Sequence, residues 1–107
     1  MDNLSVRRGA GHDLKLTVDE ADAESARLIV KKSVTDTEPT ITVDSPIMNK
    51  EADLSLSPED TEIDPGDYLY QINVYYADGN IEKYPETQNC DIDEVSFPTL
   101  TIYPSLD

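Results

Sequence analysis

The run Leu54–Tyr84, LSLSPEDTEIDPGDYLYQINVYYADGNIEKY, constrains the fold more than any other part of the chain. Leu54 and Leu56 alternate with Asp53, Ser55 and Ser57, the period-2 pattern of a strand with one buried face. Ser57 then offers an N-cap, with Pro58 at a first helical position and Asp60 three residues on, where a carboxylate suits the positive start of a helix. Asp64-Pro65-Gly66-Asp67 fits a type II turn, since proline presets the first central φ and glycine takes the positive φ at the second. Tyr68, Tyr70, Ile72, Val74 and Tyr76 share one face of a long strand. Asp78-Gly79 predicts a hairpin with a type I′ turn. A two-residue loop there sets Tyr76 opposite Ile81 and Val74 opposite Lys83.

Short strands continue on both sides of this run. Leu4–Arg8 predicts an edge strand, ended by Gly9-Ala10-Gly11. Leu14, Leu16 and Val18 mark a second strand. Residues 19–25, DEADAES, predict a loop or a short helical turn. Ala26–Val34 is a third strand with Leu28 and Val30 facing inward. Ile41 and Val43 mark a fourth, which Pro46 limits. The fifth centres on Leu54 and Leu56, the sixth on Ile72 and Val74, and the seventh on Ile81 and Tyr84. Residues 95–103 add a final strand whose first part Pro98 turns into an edge or bend. About seven strands with frequent turn signals and no long helix predict a single domain over 1–107. Its core spans about 4–103, and its fold class is an all-β, immunoglobulin-like antiparallel β-sandwich.

Chemistry is sparse in this pattern. His12 is the only histidine, so neither a Ser-His-Asp triad nor a histidine-rich metal site is available. Cys90 has no partner for an internal disulfide, and its acidic neighbours raise rather than lower its pKa. Asp19, Glu20, Asp22 and Glu24 form one acidic cluster and Asp91, Asp93 and Glu94 another. Neither follows the EF-hand order. Without tryptophan, and at this length, a glycosidase cleft is not expected. The sequence therefore assigns no catalytic, cofactor-binding or metal-ligating residue, and predicts neither enzyme activity nor a small-molecule substrate. Of the tyrosines, Tyr68 or Tyr70 sits where a sandwich places its corner tyrosine. Tyr75, on the opposite face, is the candidate for a partner contact.

The chain carries 23 acidic residues against 8 basic ones, for a net charge of −15. The imbalance is lopsided, because residues 51–107 hold only Lys83 against 14 acids. Such charge disfavours a direct grip on nucleic acid and can steer docking to a basic partner. No apolar run approaches the roughly 20 residues that span a bilayer as a helix, so no membrane contact is expected. Met1-Asp2-Asn3 leads into a patterned segment without a charged-then-apolar leader, which predicts cytoplasmic synthesis.

The order of segments resembles the small immunoglobulin-like sandwich domains of tailed-bacteriophage structural proteins, among them baseplate upper proteins and minor head or tail proteins. Val6-Arg7-Arg8-Gly9 matches their early strand opening, and Asp13–Val18 the alternating strand after it. Ala26–Lys32 matches a strand that ends in paired basic residues. The most specific part, L-x-L-[ST]-x-x-[DE]-T-x-x-x-x-G-x-Y-x-Y-x-[IL], is carried by Leu54–Ser57, Asp60-Thr61 and Gly66–Ile72. Asp78-Gly79 and Ile81–Tyr84 match the closing hairpin. The resemblance implies a non-enzymatic virion or prophage structural protein, made in the bacterial cytoplasm and carried in the particle. It would dock onto other head, neck, tail or baseplate proteins, self-association included, and segment 86–98 is an expected subunit contact. Two alternatives come from the residues themselves. One is an acidic nucleic-acid mimic that inhibits a DNA-binding enzyme; the other is a calcium-stiffened adhesion module.

Overall fold

Alternating apolar residues and turn-forming breaks build eight short strands. The computed structural model describes residues 3–84 and 97–106 of the chain. In order these are β1 (Leu4–Arg7), β2 (Lys15–Thr17), β3 (Ala23–Lys31), β4 (Ile41–Pro46), β5 (Glu51–Asp53), β6 (Gly66–Tyr76), β7 (Ile81–Tyr84) and β8 (Thr99–Tyr103). There is no helix among the described residues. Six strands form one sheet in the order β1-β8-β6-β3-β4, with β7 also on β6, and β2 pairs with β5 in a second sheet. All pairings are antiparallel except β1 with β8. β6 organises the large sheet. One of its edges pairs with β3 along Leu69–Tyr76, while the other takes β8 at Gly66–Leu69 and β7 at Ile72–Tyr75.

Inward side chains of both sheets meet in one core, giving a β-sandwich arrangement. Leu28, Val30, Leu54, Val74, Leu100 and Ile102 are almost wholly buried within it. Each such side chain contributes roughly 1.5–3 kcal/mol relative to exposure. The expectation that Leu28 and Val30 face inward holds. Ser45 ties the two sheets at their edges, accepting the Asp53 N–H at 3.0 Å. The corner tyrosine is Tyr68, whose hydroxyl donates to the Asp64 carbonyl at 2.7 Å.

Local hydrogen bonding moves several boundaries away from those expected. The third strand runs over residues 23–31, not 26–34, so 23–25 are strand rather than loop. It stops at Lys31 because the Asp36 carboxylate accepts the Ser33 N–H and the Ser33 carbonyl accepts the Asp36 N–H. The fifth strand ends before Leu54 and Leu56, although both are buried. There Asp53 Oδ1 accepts both the N–H and the hydroxyl of Ser55, and Ser55 Oγ accepts the Leu14 N–H. Such side-chain bonds compete with a regular ladder. Ser57 and Asp60 exchange reciprocal capping bonds at 3.2 and 2.9 Å, yet they close one turn rather than start a helix. The buried Thr61 leaves that turn by donating to the Ala10 carbonyl, across the chain. Gly66 has φ 144°, wider than the about 80° of a type II turn, and is already paired with Ile102 in β6.

The hairpin at Asp78-Gly79 differs most consequentially. Only Gly79 has a positive φ there, 91°, and its N–H donates to the Tyr76 carbonyl while the Tyr76 N–H donates to Asn80. This is a three-residue loop, a turn followed by a left-handed glycine. It pairs Tyr75 with Ile81 and Asn73 with Lys83. The expected pairs, Tyr76 with Ile81 and Val74 with Lys83, are off by one residue. Asp78 selects this geometry by accepting the Asn80 N–H at 2.8 Å. The positive-φ pair of a type I′ turn lies elsewhere, at Asn49 (53°) and Lys50 (64°), where Met48 and Glu51 exchange both backbone bonds.

Candidate functional site

The one-residue difference in that hairpin decides where a charge goes. Antiparallel partners share a face, so Lys83 opposite Val74 would point at the core. Opposite Asn73 it points away. In β6 the even positions from Tyr68 to Tyr76 are buried, which turns Leu69, Gln71, Asn73 and Tyr75 to the outer side of the large sheet. Register then aligns neighbours from three other strands. Asp44, Arg27, Asn73 and Lys83 form one cross-strand row, Thr42, Ile29 and Gln71 the next, and Lys31 and Leu69 a third.

These rows floor an open groove of about 430 Å³, which also reaches Val34, Pro39 and Phe97. Among the described residues its lining includes three cations, Arg27, Lys31 and Lys83, with the Asp44 carboxylate paired to Arg27 at its edge. On a chain where acids outnumber bases 23 to 8, that is a local concentration of basic side chains. Arg27 Nε donates to Asp44 Oδ1 at 2.5 Å, with a second, longer bond from its terminal nitrogen. The hydrogen bond first, and then the Asp44 charge, raise the guanidinium pKa above its ordinary value, so this cation is permanent. Lys31 Nζ donates to the Asp36 carbonyl at 3.0 Å, a neutral partner that leaves its charge in place. Between the cations runs a chain of side-chain bonds. Gln71 Nε2 donates to Asn73 Oδ1 at 2.7 Å, and Asn73 Nδ2 donates to the Tyr75 hydroxyl at 3.3 Å. Asn73 is buried, so the middle of this polar chain is fixed within the sheet surface. Two large apolar side chains, Ile81 (47% exposed) and Tyr103 (54% exposed), stand on the same outer face. The face is suited to holding an anionic, partly apolar surface by charge and hydrogen bonds.

Other sequence candidates sit elsewhere. Tyr75 lies on the outer face but is half-buried beneath its neighbours. His12 pairs through its backbone with Leu56, away from the groove. Among the described residues no three histidine, cysteine or carboxylate side chains converge as a metal cage, so Asp19, Glu20, Asp22 and Glu24 are not gathered into one. Cys90, the Asp91–Glu94 cluster and most of segment 86–98 lie outside the described residues. Two further tyrosines face the core side of the hairpin. Tyr84 donates to Glu82 Oε2 at 2.6 Å, and that bond, followed by burial, raises its pKa. Among the described residues the Tyr76 hydroxyl is buried without a partner in hydrogen-bond geometry. Burial first, and then the nearby Glu82, Glu20 and Asp22, push its pKa up to about 12.

The basic groove was missed from sequence because its cations are scattered along the chain. Alternation alone places Arg27, Ile29 and Lys31 opposite the inward Leu28 and Val30. Adding Lys83 requires the three-residue hairpin, and that hinges on whether Asp78 or only Gly79 takes a positive φ. No protein-family model matches the chain, and no curated protein matches it significantly.

Proposed function

We propose that this chain is a non-enzymatic docking protein of a phage or prophage particle, an immunoglobulin-like sandwich that binds a neighbouring virion protein through the outer face of its large sheet. The observation that carries the docking role is that face itself, which presents Arg27, Lys31 and Lys83 in the groove and exposes Ile81 and Tyr103 elsewhere on the same side of the sheet. Arginine and aromatic side chains on a polar background are the composition that protein interfaces favour. A hydrogen-bonded sheet also presents them preorganised, which lowers the ordering cost of association. The Tyr68 corner bond supports the immunoglobulin-like reading, since that family of sandwiches uses the same device. The virion setting rests on the resemblance carried by Leu54–Ile72. Quantitative mass spectrometry of purified particles tests it: this chain is expected at a fixed copy number per particle. Finding it only in the soluble fraction of the host would overturn the reading.

A further inference from the structure

We infer that the groove on the outer face of the large sheet takes an extended, acidic and partly apolar segment of a partner polypeptide, an inference that rests on the docking role proposed above. The warrant is charge complementarity in a defined frame. Arg27 and Lys83 flank Asn73 across two strand spacings, about 10 Å, and Lys31 lies four residues along β3 from Arg27, about 13 Å. The two lysines, with Arg27 in its ion pair to Asp44, thus bound a patch whose floor is Ile29, Leu69 and the amides of Gln71 and Asn73. Carboxylates meet the rim, apolar side chains meet Ile29 and Leu69, and backbone groups meet the amides. A purely anionic ligand would leave the apolar floor unmatched, and a purely apolar one would leave the rim unmatched.

The global charge adds a distinctive signature. The molecule measures 46 × 34 × 23 Å. At 0.01 M salt the screening length of about 30 Å spans most of that, so an acidic segment feels the net −15 and is repelled. At 0.15 M it falls to about 8 Å and the groove's own cations dominate, while near 1 M, at about 3 Å, they too are screened. Affinity for an acidic segment should therefore pass through a maximum at intermediate salt.

Fluorescence anisotropy on the full chain tests this with a labelled peptide of alternating glutamate and leucine, its glutamine counterpart and a single-stranded oligonucleotide. The glutamate peptide is expected to bind best, with the salt maximum. The triple variant Arg27→Gln, Lys31→Gln, Lys83→Gln should weaken it by about tenfold or more. The charge-matched control Arg8→Gln, Lys15→Gln, Lys50→Gln should change it by less than about twofold, because none of those residues lines the groove. Melting curves establish that each variant is folded. Equal losses in both triple variants would reduce the effect to net charge and overturn the inference. So would equal binding of the glutamine peptide, or oligonucleotide binding as tight as that of the glutamate peptide. A groove variant that fails to bind peptide but enters particles at the normal copy number would count against the docking role alone.

Discussion

The two faces of β6 are built from alternate residues of the same eleven, and they do opposite things. Tyr68, Tyr70, Ile72, Val74 and Tyr76 are buried against the second sheet and hold the fold together. Leu69, Gln71, Asn73 and Tyr75 face outward and, with Arg27, Lys31 and Lys83, make the groove. The inner face depends on shape and apolar area, and every neighbour reinforces it. The outer face depends on register, because its cations come from β3 and β7 and meet only if both strands pair correctly with β6. Stability and the proposed recognition are therefore separable on one strand, and substitutions can tell them apart.

The largest contrast is between the core and the groove. Leu28→Ala, at a side chain 1% exposed, should lower unfolding free energy by about 2–5 kcal/mol in denaturant titration. Lys83→Gln should change it by no more than about 0.5 kcal/mol, as expected at an exposed position. A large stability loss for Lys83→Gln would mean that Lys83 is structural and would collapse the distinction.

Within the inner face, two tyrosines sharpen it. Tyr68→Phe removes a 2.7 Å bond to the Asp64 carbonyl and should cost about 1 kcal/mol. Tyr76→Phe removes a buried hydroxyl that, among the described residues, has no partner in hydrogen-bond geometry, and should be neutral or stabilising by up to about 1 kcal/mol. The same residue carries a pH dependence. Its folded pKa, about 12, exceeds the ordinary value of 10, so between those values the unfolded state has lost a proton that the native state keeps. Stability should fall as pH rises through that window, with Tyr84 acting in the same direction, and Tyr76→Phe should flatten the decline. An identical pH profile for Tyr76→Phe and the parent would contradict the assignment.

The smallest effects concern the two turns. Gly79 has φ 91° with open space around its Cα, so Gly79→Ala should cost about 1 kcal/mol through backbone strain alone. Lys50, at φ 64°, pays that strain already, and Lys50→Gly should stabilise by about 0.5–1 kcal/mol. Gly79→Ala should also weaken peptide binding, since the turn sets where Lys83 points; Lys50→Gly should not.

Much of the inner face was legible in the sequence. Alternation identified Leu28, Val30, Ile72 and Val74 as core, and the sandwich pattern narrowed the corner to Tyr68 or Tyr70, between which the bond to Asp64 decides. Three of the misreadings share one cause: short side chains bonding to nearby backbone. Asp36 ends β3 early, Asp53 and Ser55 interrupt the ladder before Leu54, and Asp78 adds a residue to the hairpin loop. Propensity patterns see these residues only as turn formers and do not say how many residues each turn will take. The groove needed that number, because a slip of one residue moves Lys83 to the other face. Summing charge by halves of the chain hid it further, since the cations that meet in space come from both halves.

The most direct test of the outer face as the docking surface is the copy number of an outer-face variant in purified particles. Ile81→Asp with Tyr103→Asp replaces two exposed apolar side chains on that face without touching the core. If the outer face docks the protein, this variant melts like the parent and is depleted from particles while accumulating free. Incorporation at the parent's copy number, with the fold intact, would contradict that claim.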